Sequence, residues 1–251
     1  MTNRICHDAA FGKYAECGAY HWRELSRNLL DHHAFTAERY RRVMTAAQPL
    51  GGKRILDYGC GDGALFAWIC GEAGAHGEVH GYEPNSAGFE FAAQMVRKKR
   101  LPVQLHSKTV EIPDAYFDTV ICSEVIEHVY DVDDLIMQLC RVLKRGGRAI
   151  ITTPVRLTEV PEDAHHVREW FPTEFQELFK DTKLKLIGYS QFIPAAAPEV
   201  YYWRPMFLFR VPVFRILCNL LSIYGGFNAL SWLRLRPRLF MEQMAVLENG
   251  G

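Results

Sequence analysis

Ile55-Leu56-Asp57-Tyr58-Gly59-Cys60-Gly61-Asp62-Gly63 reads as a short apolar strand running into glycines at alternate positions, and Ala64–Gly71 behind it carries an apolar helical pattern. A strand, a bare loop and a helix in that order put exposed backbone at the carboxyl end of a parallel strand, where open α/β sheets bind ligands. Glycine is needed where a ligand must approach the main chain closely. Dinucleotide enzymes use similar turns, so spacing and neighbours decide the ligand. Here the spacing is G-x-G-x-G rather than G-x-G-x-x-G, and Asp57 stands just before the loop. A loop that holds a pyrophosphate gains from an uncluttered helix N-terminus, whereas one facing a sulfonium amino-acid ligand can use a carboxylate.

From Lys53 onward, short apolar runs alternate with amphipathic stretches, the pattern of parallel strands joined by crossover helices. Strands are expected at Arg54–Tyr58, Glu78–Glu83, Val103–His106, Thr119–Ser123, Arg148–Thr152, Leu184–Ser190 and Met241–Glu248. Helices are expected at Ala64–Gly71, Ser86–Lys99, Val132–Leu143 and Thr173–Phe179, with Lys144–Gly147 as a basic, glycine-terminated helix end. The fold class is therefore α/β, a doubly wound and mostly parallel seven-stranded sheet. Its expected organisation is an N-terminal helical cap over residues 1–50, a core over 51–199, a helical insertion over 200–240, and a last strand and tail over 241–251.

Composition narrows the classes. Lys plus Arg and Asp plus Glu both number 29, so no overall field draws the chain to nucleic acid or to an anionic surface, and any such attraction must be local. The seven cysteines form no C-x-x-C pair and read as thiols of a reducing compartment. The N-terminal residues lack the apolar core and cleavage site of a secretory signal, so a cytoplasmic location is expected, with membrane association through 200–240 as an addition to it.

The second expected strand ends at Glu83, about 20 residues after the glycine loop, where a carboxylate can accept both ribose hydroxyl protons. With Tyr116–His128 and Leu143–Thr153, these runs resemble the class I S-adenosylmethionine-dependent methyltransferases, which have a Rossmann-like sheet, and the likeness covers roughly residues 53–190. The resemblance implies that Asp57, Gly59 and Gly61 contact the methionine part of S-adenosylmethionine, Glu83 the ribose, Ser123 and Glu124 the cofactor from the fourth strand, and Ser107 the adenine. The family commonly has an acidic residue near the position of Ser107 and Lys108, and this chain departs from that pattern.

Glu124, Glu127 and His128 are spaced so that a helix beginning there would project all three from one face, and His165-His166-Val167-Arg168-Glu169-Trp170 supplies further imidazoles. The arrangement resembles that of ubiquinone-biosynthesis O-methyltransferases, and also the small-RNA 3′-terminal 2′-O-methyltransferases, with His166 the better match to the downstream His. It implies an O-methyltransferase in which Glu124, Glu127, His128 and His166 hold a divalent cation, Mg or Mn, near the acceptor hydroxyl. Two other uses stay open: His128 or His166 as a general base without metal, and Glu124 beside the cofactor with His128 packing structurally. Tyr20-His21-Trp22 reads as part of a lid or as a cap helix with its aromatics turned inward.

Between Val200 and Met241 stand six arginines (Arg204, Arg210, Arg215, Arg234, Arg236, Arg238), no lysine and no acid, among large apolar side chains. Such a segment suits an anionic amphiphile or a bilayer face, a plain helical lid, or a homodimer interface. The acceptor class is a small or amphiphilic hydroxylated metabolite: a sugar, a quinone precursor or a lipid-linked glycan. An RNA 2′-O-methyltransferase and a non-catalytic cofactor-binding subunit are the alternatives; the neutral charge argues against nucleic acid.

Overall fold

The computed structural model describes residues 13–161, 163–204, 211–232 and 239–251. Strands β1 Arg54–Tyr58, β2 Glu78–Tyr82, β3 Val103–His106, β4 Phe117–Ser123, β5 Leu143–Pro154, β6 Leu184–Pro194 and β7 Phe240–Asn249 form one sheet, in the order β3-β2-β1-β4-β5-β7-β6. Pairings among β1 to β5 are parallel, and β7 runs antiparallel to both its neighbours. The order reverses between β1 and β4, which opens a crevice beyond their carboxyl ends.

Alternation along the strands divides the core. β4 sends Ile121 to one face and Val120 and Cys122 to the other, and β5 does the same with Ile150 against Ala149 and Ile151. The first face is covered by α3 Ala34–Ala47, α4 Phe66–Ala73 and α5 Ser86–Lys99, joined by α8 Ala197–Tyr202 and α9 Val213–Gly225. The second is covered by α6 Val132–Val142 and α7 Pro172–Glu177, through Leu135, Leu139 and Phe175. Two short helices, α1 Lys13–Cys17 and α2 Tyr20–Glu24, precede α3.

Two expectations are corrected. Lys144–Gly147 does not end a helix: α6 stops at Val142, and Leu143 already pairs with Phe117 as the start of β5. Strand pairing wins here because the register shift before Thr119↔Arg148 absorbs the glycines, while Lys144 Nζ binds Asp118 at 2.8 Å. Nor does an α-helix start at Glu124. That residue has φ of 56°, and only a 3-10 turn, Ile126–His128, follows.

Among the described residues of 200–240 stand the end of α8, then α9 and a 3-10 turn at Ala229–Trp232. Arg210, Arg234, Arg236 and Arg238 lie outside the described residues. Among the described residues no helix is long and apolar enough to cross a membrane.

Phe66 shows how packing supports the loop. It is fully buried, and a Cβ added at Gly81 or Gly63 would stand 2.3 or 2.8 Å from its ring. Phe66→Ala empties that space and is expected to lower stability by about 3–5 kcal/mol, read from the urea-unfolding midpoint.

Candidate active site

The glycine loop wraps the carboxyl end of β1. Gly59 and Gly61 have φ of 80° and 56°, and added Cβ atoms would reach 2.4 Å from a Val125 methyl and 1.8 Å from the Tyr14 hydroxyl. Neither position accepts a side chain, so the cradle is bare backbone. Glu83, at the end of β2, is buried and accepts from Gly61 N at 2.7 Å and from Asn85 N at 2.8 Å. Asp57 is buried beneath the loop.

Two adjoining hollows share Tyr14, Gly59, Glu124 and His128. One is walled by Tyr82, Glu83 and Asn85; the other holds about 290 Å³ and is walled by Asp57, Ser123, Glu124, Glu127, His128 and His166. The structure thus brings the loop, Asp57, Glu83, Ser123 and Glu124 to these two hollows. Ser107 is not among them: it is exposed beyond β3, with its amide on the Glu111 carboxylate at 3.1 Å.

The cap closes one side. His21 N donates to Asp62 Oδ2 at 2.9 Å and Trp22 Nε1 to Asp62 O at 2.8 Å, while Tyr20 and His21 line the larger hollow. The Tyr20-His21-Trp22 run therefore fixes the glycine loop as well as turning its aromatics inward.

Glu127, His128 and His166 each offer a ligand atom, all within 4.8 Å of one another. They meet although no helix aligns them, because the loop after β5 folds back: Val167 N and Arg168 N both donate to Glu127 O. The Glu127 side chain is fully buried, accepts from Thr153 Oγ1 at 3.0 Å, and leaves Oε1 without a hydrogen-bond partner. Burial, reinforced by Glu124, pushes its carboxyl well above the usual range. His128 Nδ1 meets His165 O at 2.9 Å, which makes Nδ1 the donor and Nε2 the lone-pair nitrogen, 4.0 Å from Glu127 Oε1. Burial holds this imidazole below its ordinary pKa, hence neutral. His166 Nδ1 meets Glu169 Oε1 at 2.7 Å. Imidazoles tied at Nδ1 beside an unpartnered buried carboxylate oxygen fit a cation, since such ligands are held by outer hydrogen bonds.

Glu124, expected in this group, turns elsewhere. Its carboxylate accepts from Arg39 Nη1 at 3.2 Å and from Thr152 Oγ1 at 3.0 Å, and Arg39 also reaches Glu242 Oε1 at 3.0 Å. Sequence reasoning passed over Arg39, Glu242 and Tyr14. Arg39 had a signal: it interrupts the apolar i, i+4 stripe of Phe35 and Val43. Glu242 had none, because a carboxylate near a strand end reads as solvated.

Residues 22–188 match a protein family described as a methyltransferase domain. The chain belongs to that family. The methyltransferase is 26% identical over 190 residues to a ubiquinone biosynthesis O-methyltransferase of Pectobacterium atrosepticum, covering 68% of this chain and 78% of the relative. It is 38% identical over 113 residues to the human mitochondrial protein of that name, covering 42% of this chain and 30% of the relative. It spans 60% and 62% of the relatives from Rickettsia typhi and Alkalilimnicola ehrlichii. Among solved structures, a SAM-dependent methyltransferase from Aquifex aeolicus aligns with a TM-score of 0.54 at 16% identity, covering 61% of this chain and 82% of that one. Geranyl diphosphate C-methyltransferase from Streptomyces coelicolor A3(2) aligns at 0.59 and 18%, covering 84% and 74%. These establish a Rossmann-like methyltransferase fold, and the chain is a class I S-adenosylmethionine-dependent methyltransferase by family.

Asp57 gives the site a pH signature. Burial, then Glu83 and Asp62, push its carboxyl from 3.8 up to about 8. The folded chain holds that proton more tightly than the unfolded one, so this group's contribution to stability falls as pH rises from about 4 to 8. Below about 6.5, His33 and His80, held near 4 by burial, give the opposite slope. Between pH 6.5 and 8 the urea midpoint of the ligand-free protein should therefore decline, and Asp57→Asn should decline less.

Proposed function

We propose that the chain transfers the methyl group of S-adenosylmethionine to a hydroxyl oxygen of a small or amphiphilic metabolite, with a divalent cation, Mg or Mn, held by Glu127, His128 and His166. The acceptor class comprises sugars, quinone precursors and lipid-linked glycans. The observation that carries this reading is the unpartnered Glu127 Oε1, fully buried between two oriented imidazoles in the wall of the larger hollow. The names of the curated relatives, ubiquinone biosynthesis O-methyltransferases, support oxygen as the acceptor atom.

A divalent cation at this site supplies positive charge that lowers the pKa of a nearby hydroxyl. The side chains do the rest. His128, whose Nδ1 donates to His165 O, would present its Nε2 lone pair to the cation. Glu169 fixes the His166 ring, and Thr153 orients Glu127. Asp57, Glu83 and Glu124 line the cofactor hollows with carboxyl groups, which complement the cationic sulfonium. Tyr14, Tyr20 and Tyr40 wall off water on the cap side.

Chelation with EDTA should abolish turnover while calorimetric binding of S-adenosylhomocysteine stays within about threefold. His166→Ala should behave alike, losing turnover by about 100-fold with cofactor binding kept. Chelator-resistant turnover that His128→Ala abolishes would remove the cation from the account and leave the imidazole as base.

A further inference from the structure

Asp163 stands where the cap, the loop after β5 and the larger hollow meet. Its Oδ1 accepts from His165 N and from His165 Nδ1 at 2.9 Å each, and its backbone carbonyl accepts from His166 N at 3.0 Å. One residue thus closes the turn that carries His166. It also holds His165, whose carbonyl takes the His128 Nδ1 proton at 2.9 Å. Asp163 touches neither ring of the Glu127–His128–His166 cluster through these bonds, yet it aims both. The His165 carbonyl sets the His128 tautomer, and the turn sets where the His166 ring can lie. The second carboxylate oxygen, Oδ2, faces Lys13 Nζ at 3.7 Å.

Lys13 belongs to the other side of the site. It opens α1, and the next residue, Tyr14, lies on the glycine cradle: an added Cβ would reach 1.8 Å from its hydroxyl at Gly61 and 3.1 Å from its ring at Gly88. Tyr14 lines both hollows, so a ligand that spans them packs against it. A helix of five residues has no cooperative stability of its own and takes its position from what it touches. We propose that Asp163 is a positioning residue for both imidazoles, and that the Lys13–Asp163 pair couples the cofactor site to the cation site, so that each ligand tightens the other's binding. This inference rests on the cation reading above. The coupling is reciprocal because it is a free energy. It is modest because the two side chains are 37% and 35% exposed, where water screens their attraction.

The test is the Mn2+ affinity of the whole chain, read by electron paramagnetic resonance with and without S-adenosylhomocysteine. In the wild type S-adenosylhomocysteine is expected to tighten Mn2+ binding about threefold to fivefold. Lys13→Ala should remove that effect while leaving the Mn2+ affinity of the cofactor-free protein within about twofold. Asp163→Ala should weaken Mn2+ about tenfold or more even without cofactor. Asp163→Asn, which keeps an oxygen for His165 N, should restore most of that affinity but not the coupling. S-adenosylhomocysteine binding in metal-free buffer will show that each variant is folded. An Mn2+ affinity indifferent to S-adenosylhomocysteine in the wild type, a coupling that survives Lys13→Ala, or unchanged Mn2+ binding in Asp163→Ala would overturn the proposal. Absence of Mn2+ binding under both conditions would overturn it together with the cation reading, a failure distinct from the other three.

Discussion

The guanidinium of Arg39 stands between two carboxylates from distant parts of the chain, Glu124 at the end of β4 and Glu242 at the start of β7. One buried cation therefore joins the helical cap to both the parallel and the antiparallel halves of the sheet. Removing one partner of such a group leaves an uncompensated buried charge, a loss of about 3–5 kcal/mol. Burial and the neighbouring Glu124 push Glu242 up to about 8, so a proton as well as Arg39 moderates this carboxyl pair. With α3 held there, Tyr40, Thr36 and His33 come to line the hollow, and α9 packs on the same helix through Arg41 and Ser222.

The site's electrostatics follow from how the strands end. Parallel strands deliver Asp57, Glu83 and Glu124 to one crevice, and three acids so close suit a cationic ligand. Glu127 has a different task. It sits below them, oriented by Thr153 and faced by two imidazoles whose Nδ1 atoms are tied outward. The same turn that breaks the expected helix, with Glu124 in a left-handed conformation, separates a carboxylate that ties the sheet to the cap from one that faces the imidazoles.

Much of this was legible in the sequence because local pattern and global fold agree in the core. The period-two runs located β1 to β4 within a residue or two, and the glycines announced a loop whose φ values only glycine adopts freely. What was not legible depends on contacts between distant segments. Glu242 and Arg39 meet across about 200 residues, and nothing local marks either as a partner of Glu124. Lys144–Gly147 obeyed the rules for a helix end, yet pairing with Phe117 outweighed them. The apolar content of 200–240 was visible in the sequence, but only the buried hydrogen bonds of Asn219 show which side of α9 turns inward.

Stoichiometric Mn2+ binding, measured by electron paramagnetic resonance with S-adenosylhomocysteine present, tests the central claim most directly, since it reads the Glu127–His128–His166 cluster without an acceptor. The account predicts one tightly bound ion per chain, lost in Glu127→Gln while cofactor affinity is retained. No bound Mn2+ in the wild-type protein, or binding untouched by Glu127→Gln, would contradict it.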